Sequence, residues 1–398
     1  MAISWLVMVW ARAGLMAPLV SIRRADGISA AVVRVWHVTV AVAFLAPLLS
    51  GAQDPDSTQN GFWPPSTDGL VFVWENGNAS NTIPAESFVG ELCRVIPTGQ
   101  AKLNRFWAMD LAHGSFHAEQ TMSANVRDRL RASHQFTLAV VVTPSHTDGT
   151  RATHVVSYGA TDAEWAFVLA QRGGALLVGL DSSAPEQARL RDVGRLEEGI
   201  VRHVVVTVAD GALTAYMDGR KVSFYDDVPM DLSVWEEPQL WFGAAPDGSG
   251  DWSGRLEGIA LYNRALSRDE VQRHYRAYAE RLTGRTPLPT LEADALLTRK
   301  RDIPKDTAYP NTLVVFDYRV DAVREGAYNR RQALVAHWGN LNGRRQIATE
   351  ELRVGHAYRI RIEPFDAHPE LAALQIVMNL DDLHLPLFYA ICDPVRIK

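Results

Sequence analysis

The sequence predicts a mainly β protein, an antiparallel β-sandwich followed by a small C-terminal β-barrel or sandwich domain. Three observations predict it. Between Gly69 and Tyr262, short apolar runs rich in β-branched residues alternate with turn residues. A single strong helical period follows them, and the short-strand pattern then resumes beyond a stretch rich in proline and charge. A chain of 398 residues suits two or three domains better than one.

The elements run as follows. Leu70 to Trp74 is the first strand, followed by the turn-rich Glu75 to Asn81. Phe136 to Val142 and His154 to Tyr158 are apolar runs of strand length. Trp165 to Ala170 and Ala175 to Leu180 flank Gln171-Arg172-Gly173-Gly174 and read as a hairpin. His203 to Val208 leads to the clearest hairpin, Leu213 to Met217 and Arg220 to Phe224 across Asp218-Gly219, a pair that supplies the positive φ angles of a tight turn. Gln239 to Gly243, with Trp241 assigned to the core, and Arg255 to Tyr262 complete the set. Ser267-Arg-Asp-Glu270 is a capping box. Val271, Tyr275, Tyr278 and Leu282 then recur on one helical face, and Gly284 stops the helix. The second unit has strand candidates at Thr312 to Val320, Gln332 to Trp338, His356 to Glu363 and Leu374 to Asn379.

The expected organisation is a leader over 1–52, a linker over 53–65, the sandwich over 66–283, a linker over 284–307 and the small β domain over 308–398. Val38 to Leu49 is uncharged and apolar, follows Arg23, Arg24 and Arg34, and precedes Ser50-Gly51-Ala52. That order is a secretory signal with cleavage after Ala52, so the protein is expected to be exported. A start at Met16 and an uncleaved membrane anchor are the alternatives. The formal net charge is -6. Without residues 1–52, which hold four arginines and one acid, 36 basic and 45 acidic residues would leave -9. That balance speaks against a nucleic-acid partner. Cys93 and Cys392 are the only cysteines; an exported chain could pair them, or they stay as two buried thiols.

The order of motifs resembles one family. Phe136-Thr137-Leu138 opens a central strand, and His203 to Thr207 precedes Tyr216-Met-Asp-Gly219, similar to a Y-x-D-G turn. Trp252-Ser-Gly254 then precedes Leu256 to Ser267, similar to a closing strand and helix start, with Asp269-Glu270 as the acidic pair that opens the helix. Residues 66–283 thus resemble the laminin-G-like, concanavalin-A-like jelly-roll family. The resemblance implies a jelly-roll sandwich that binds glycan, matrix or protein, sometimes with structural calcium. One departure bears on calcium: where the family's closing strand often has paired acids, this chain reads Leu256-Glu257-Gly258-Ile259. The C-terminal unit resembles small oligonucleotide/oligosaccharide-binding or netrin-type barrels.

Candidate ligand-binding residues are Trp165, Trp235 and Trp252, whose faces can cover the apolar side of a sugar ring, and Arg172, which can meet a carboxylate. Candidate calcium ligands are Asp247, Ser249 and Asp251, gathered in a glycine-rich loop. His113 and His117 are four apart, but the sequence offers them no third metal ligand. Catalysis is not expected. Glycosidases on such sandwiches set two carboxylates on one strand face, whereas Glu197-Glu198 and Glu236-Glu237 are adjacent and would face opposite ways. No nucleophile elbow, phosphate loop or dinucleotide fingerprint occurs. The expected function is non-catalytic recognition of a glycan or an extracellular or envelope protein. The alternatives are a structural or adaptor role in an exported assembly and a glycan-cleaving enzyme on the same fold.

Overall fold

The computed structural model describes residues 63–75, 95–161, 165–180, 190–228, 239–248, 251–305, 309–378 and 384–397. The leader, Cys93 and Trp235 lie outside them. The chain divides into Met1–Ser57 and Thr58–Lys398, and the described residues all lie in the second unit.

Two antiparallel sheets face each other. The seven-stranded sheet runs in order β10 (Arg191–Arg195), β9 (Ala175–Leu180), β8 (Trp165–Arg172), β7 (Thr153–Gly159), β14 (Gln239–Phe242), β5 (Phe116–Ala118) and β2 (Val95–Pro97). The eight-stranded sheet runs β13 (Arg220–Tyr225), β12 (Ala212–Met217), β11 (Arg202–Ala209), β6 (Phe136–Pro144), β15 (Gly254–Tyr262), β4 (Met109–Leu111) and β3 (Lys102–Leu103), with β1 (Leu70–Glu75) also paired to β15. Inner residues of both sheets interlock, as where Phe72 of β1 stacks on Phe242 of β14 at 5.7 Å between ring centroids. The antiparallel jelly-roll sandwich expected for this region is therefore present. Its Asp-Gly hairpin is also as read, with Asp218 at φ 50° and Gly219 at φ 75°.

Two helices flank the sandwich. α1 (Gln120–Ser133) was not expected; it packs Met122, Val126 and Leu130 inward at four-residue spacing. α2 (Arg268–Thr283) starts at the expected capping box, the Ser267 hydroxyl accepting from the Glu270 amide. It covers the outer face of the eight-stranded sheet together with Trp63. This tryptophan is fully buried, so the segment expected as a linker over 53–65 contributes to the core. The Trp63 ring stands 6.1 to 6.2 Å from His203, His274 and Tyr278, and the absent side chain at Gly258 makes room for it. The helix is clamped by ion pairs: Glu257 of β15 meets Arg285 at 2.6 Å and the Tyr278 hydroxyl, and Glu75 meets Arg281 and the Trp63 amide.

The C-terminal domain is a barrel. β16 (Leu291–Arg299), β17 (Thr312–Glu325), β18 (Gln332–Leu341), β22 (Leu387–Ala390) and β20 (Ala357–Pro364) pair around a closed ring, since β17 joins both β16 and β18. Leu297, Phe316, Val335 and Ile360 meet inside it. One expectation is corrected here. Residues 284–307 were read as a linker because proline and charge surround them, yet Leu291, Ala293, Ala295 and Leu297 alternate inward as a barrel strand. Among the described residues, no helix is long and apolar enough to cross a membrane.

Candidate functional site

The candidate site is the outer face of the seven-stranded sheet. Alternation along β14 sends Leu240 and Phe242 into the core and turns Gln239 and Trp241 outward. Trp241 pairs with His117 of β5, whose neighbours Phe116 and Ala118 face the core, so both rings share the outer surface. They stack with centroids 4.8 Å apart and planes 29° from parallel. Gln239 locks the arrangement: its Oε1 accepts from the Trp241 indole at 2.8 Å, and its Nε2 lies 3.1 Å from His117 Nδ1. His117 Nδ1 also lies 3.2 Å from the Ala118 carbonyl, so the ring is held from two sides. The result is a partly exposed aromatic plate, held by neighbours that leave its outward side polar at the edges.

Trp165 lies on the same surface. A break in register between β7 and β8 turns it outward, where its ring covers Gly179 and touches Leu190. A side chain at Gly179 would meet the indole at 2.4 Å, so glycine is what permits this seat. Arg172 stands exposed at the far end of β8, where the hairpin turns through Gly173 at φ 56°. The sheet thus brings Trp165 and Arg172 onto the face that carries Trp241.

Two expectations are corrected. Trp252 is only 2% exposed and its indole donates to Gln171 Oε1 at 2.6 Å, so it closes the end of the core and has no face for a ligand. Trp241, expected in the core because its strand is apolar, is the partly exposed ring. Trp235 and Ser249 lie outside the described residues. Asp247 and Asp251 sit on the loop after β14, Asp251 bridging to His154. Among the described residues, no three or more His, Cys, Asp or Glu side chains gather as a metal site. His113 lies in a turn at φ 56°, apart from the His117 stack. Cys392 is a free, exposed thiol, and Cys93 lies outside the described residues. Glu257, which stands alone where the family often has paired acids, is buried and committed to Arg285.

Residues 118–272 match the family model described as the concanavalin A-like lectin/glucanases superfamily. The sandwich is laminin-G-like. No curated protein matches the chain. Among solved structures, a heptameric SAP-like pentraxin from Limulus polyphemus is 17% identical, with 35% of this chain and 68% of that one covered and a TM-score of 0.29. Domain 4 of an extracellular arabinanase from Geobacillus stearothermophilus, in complex with arabinotriose, is 16% identical over 51% of this chain and 96% of that one, at a TM-score of 0.38. A sialidase from Trypanosoma rangeli is 17% identical over 54% of this chain, at a TM-score of 0.40, and this chain spans only 34% of that enzyme's length. At such scores the likeness carries no argument about ligands, and the superfamily's description itself includes both lectins and glucanases.

Proposed function

We propose that this chain is an exported, non-catalytic binding protein that takes carbohydrate on the outer face of its seven-stranded sheet. The observation that carries the reading is the Trp241 plate. A partly exposed indole, backed by His117 and fixed in rotation by Gln239, offers a rigid flat surface with little ordering cost on binding. The C–H face of a pyranose stacks on such a surface while hydroxyls reach the amide and imidazole at its rim. Export rests on the sequence of residues 1–52 alone.

Thermal unfolding of the full chain against a panel of soluble neutral and acidic polysaccharides tests the reading. A ligand bound only by the folded state raises the midpoint by mass action. At least one polysaccharide is expected to raise it for the wild type, and Trp241→Ala is expected to weaken that binding about tenfold or more, the loss of roughly one stacked ring. No shift with any polysaccharide overturns the glycan reading.

A second reading, an adaptor in an exported assembly, is favoured by one feature. Edge strand β13 exposes Val222 and Phe224, the latter 52% exposed, with Lys221 Nζ 4.2 Å above its ring. An apolar edge strand is a surface that pairs with other chains. If capture from an exported fraction fails with Phe224→Lys but survives Trp241→Ala, the adaptor reading replaces the first.

A further inference from the structure

The eight-stranded sheet ends at β13, which pairs with β12 along one edge only. The strand is held in place from inside the sandwich. The hydroxyls of Ser223 and Tyr225 both donate to the Asp192 carbonyl of β10, at 3.3 and 2.7 Å. The far edge of β13 therefore presents backbone N–H and C=O groups that no described strand takes. Val222 and Phe224 stand exposed beside them.

The charges along this edge are sorted. From the Asp218-Gly219 turn the segment runs Arg220-Lys221-Val222-Ser223-Phe224-Tyr225-Asp226-Asp227, basic at its head, largely apolar in the middle and acidic at its tail. All four charged residues are exposed. Among the described residues none of the four takes an ion-pair partner; Asp218, the acid nearest Arg220 in sequence, is held by Arg202 at 2.8 Å.

Lysine and a β-bulge keep arbitrary strands off an edge. β13 has both, Lys221 and the register shift between Lys221 and Ser223. Its occupant must then be a strand whose charges answer this edge in order. A strand running antiparallel to β13 has to be acidic beside Arg220 and Lys221 and basic beside Asp226 and Asp227. β13 itself, turned end over end, meets both demands. We infer that β13 pairs with β13 of a second copy of this chain, about a twofold axis close to Ser223. The same patch serves both copies, so the contact closes at a dimer. Antiparallel neighbours in one sheet are related by an axis perpendicular to it, which leaves both seven-stranded sheets on the same side. Two Trp241 plates then face one polymer, a consequence that rests on the sheet-face reading while the dimer does not.

The test is the solution mass of the full chain by sedimentation equilibrium, from about 1 to 200 μM, since so short a contact belongs with the small, transient interfaces. The wild type is expected to pass from monomer to dimer across that range. Arg220→Glu with Lys221→Glu makes the edge acidic at both ends, and Asp226→Lys with Asp227→Lys makes it basic at both. Each double variant alone is expected to associate at least about tenfold more weakly than the wild type. Mixed in equal amounts the two are expected to regain the dimer, because an acidic edge then lies against a basic one. Neither a folding defect nor the loss of an unrelated contact produces that rescue. Should a double variant not fold, judged by its unfolding midpoint, Phe224→Lys carries the expectation of a monomer instead. The inference is overturned if the wild type stays monomeric, if a double variant dimerises as the wild type does, if the mixture of two folded variants fails to associate, or if the mass climbs past that of a dimer. A monomeric wild type that captures an exported protein in Phe224-dependent fashion also overturns it, and gives the edge to the adaptor reading.

Discussion

The two outer faces of the sandwich carry the same kinds of residue and use them in opposite ways. At the eight-stranded sheet, Trp63, His203, Glu75 and Glu257 lie under α2, which adds His274 from its own buried side. Each carboxylate is matched by an arginine, and both imidazoles are buried. On the seven-stranded sheet, Trp241, His117 and Gln239 form a plate that stays partly exposed. Residue type therefore decides little. What decides is whether an element packs over the residues, because burial turns a polar or aromatic group into a structural commitment and exposure leaves its face for a ligand.

The largest expected effect breaks the closed face. Glu257 is 3% exposed at the side chain, and its removal leaves Arg285 without its closest carboxylate while the Tyr278 hydroxyl loses its acceptor. Breaking a buried pair by deleting one partner costs about 3–5 kcal/mol. Glu257→Ala is expected to lose that much in urea unfolding. A loss under about 1 kcal/mol would show that α2 is held by its apolar face alone.

The next effect depends on pH. Burial depresses His203 to about 4, with Asp218 opposing, and His274 to about 3, with the neighbouring His203 adding to the depression. Both are below the ordinary value of 6.5. Folded His203 and His274 therefore bind fewer protons than the unfolded chain between those values. Their contribution is complete above pH 6.5 and is lost as pH falls toward 4, on the order of 3 kcal/mol for His203. Glu270, held down to about 2 by Arg264, loses its own contribution only below the ordinary 4.5, outside that window. His337 in the barrel, depressed by burial to about 3, adds a slope of the same sign. Urea midpoints measured from pH 7.5 to 4.5 should fall for the wild type and fall less for His203→Phe. Parallel curves would place the acid sensitivity elsewhere, with His337 the first suspect.

The contrast between the faces was half legible. The closed face announced its helix, because Ser267 and Glu270 form a capping box by local spacing alone and Val271 and Tyr278 follow at helical period. Its clamps were not legible: Glu257 and Arg285 lie on separate elements, and only the fold brings them together. The jelly-roll sheets followed from strand periodicity, while α1 was missed because its inward residues, Met122, Val126 and Leu130, are separated by polar ones and resemble a loop. The barrel strand at Leu291–Arg299 was hidden by flanking prolines, although its alternation was there to read. The tryptophans give the sharpest lesson. Trp241 and Trp252 each donate to a glutamine side-chain oxygen, yet one is partly exposed and the other buried. Composition around them pointed the wrong way for both. The signal that would have separated them is the alternation Gln239-Leu240-Trp241-Phe242, which puts the tryptophan on the side opposite two apolar residues.

The smallest expected effect sharpens the comparison from the open side. Deleting Trp241 removes a ring that is already in contact with solvent, so little apolar area returns to water. Gln239 and His117, which lose its contacts, are themselves partly exposed and can turn to water, so neither becomes a buried orphan. Trp241→Ala should therefore cost less than about 1 kcal/mol in urea unfolding, even where it abolishes polysaccharide binding. A loss above about 3 kcal/mol would mean that the indole is holding β14 against β5 as core packing does. The plate would then be part of the scaffold, and the difference between the two faces would be one of degree.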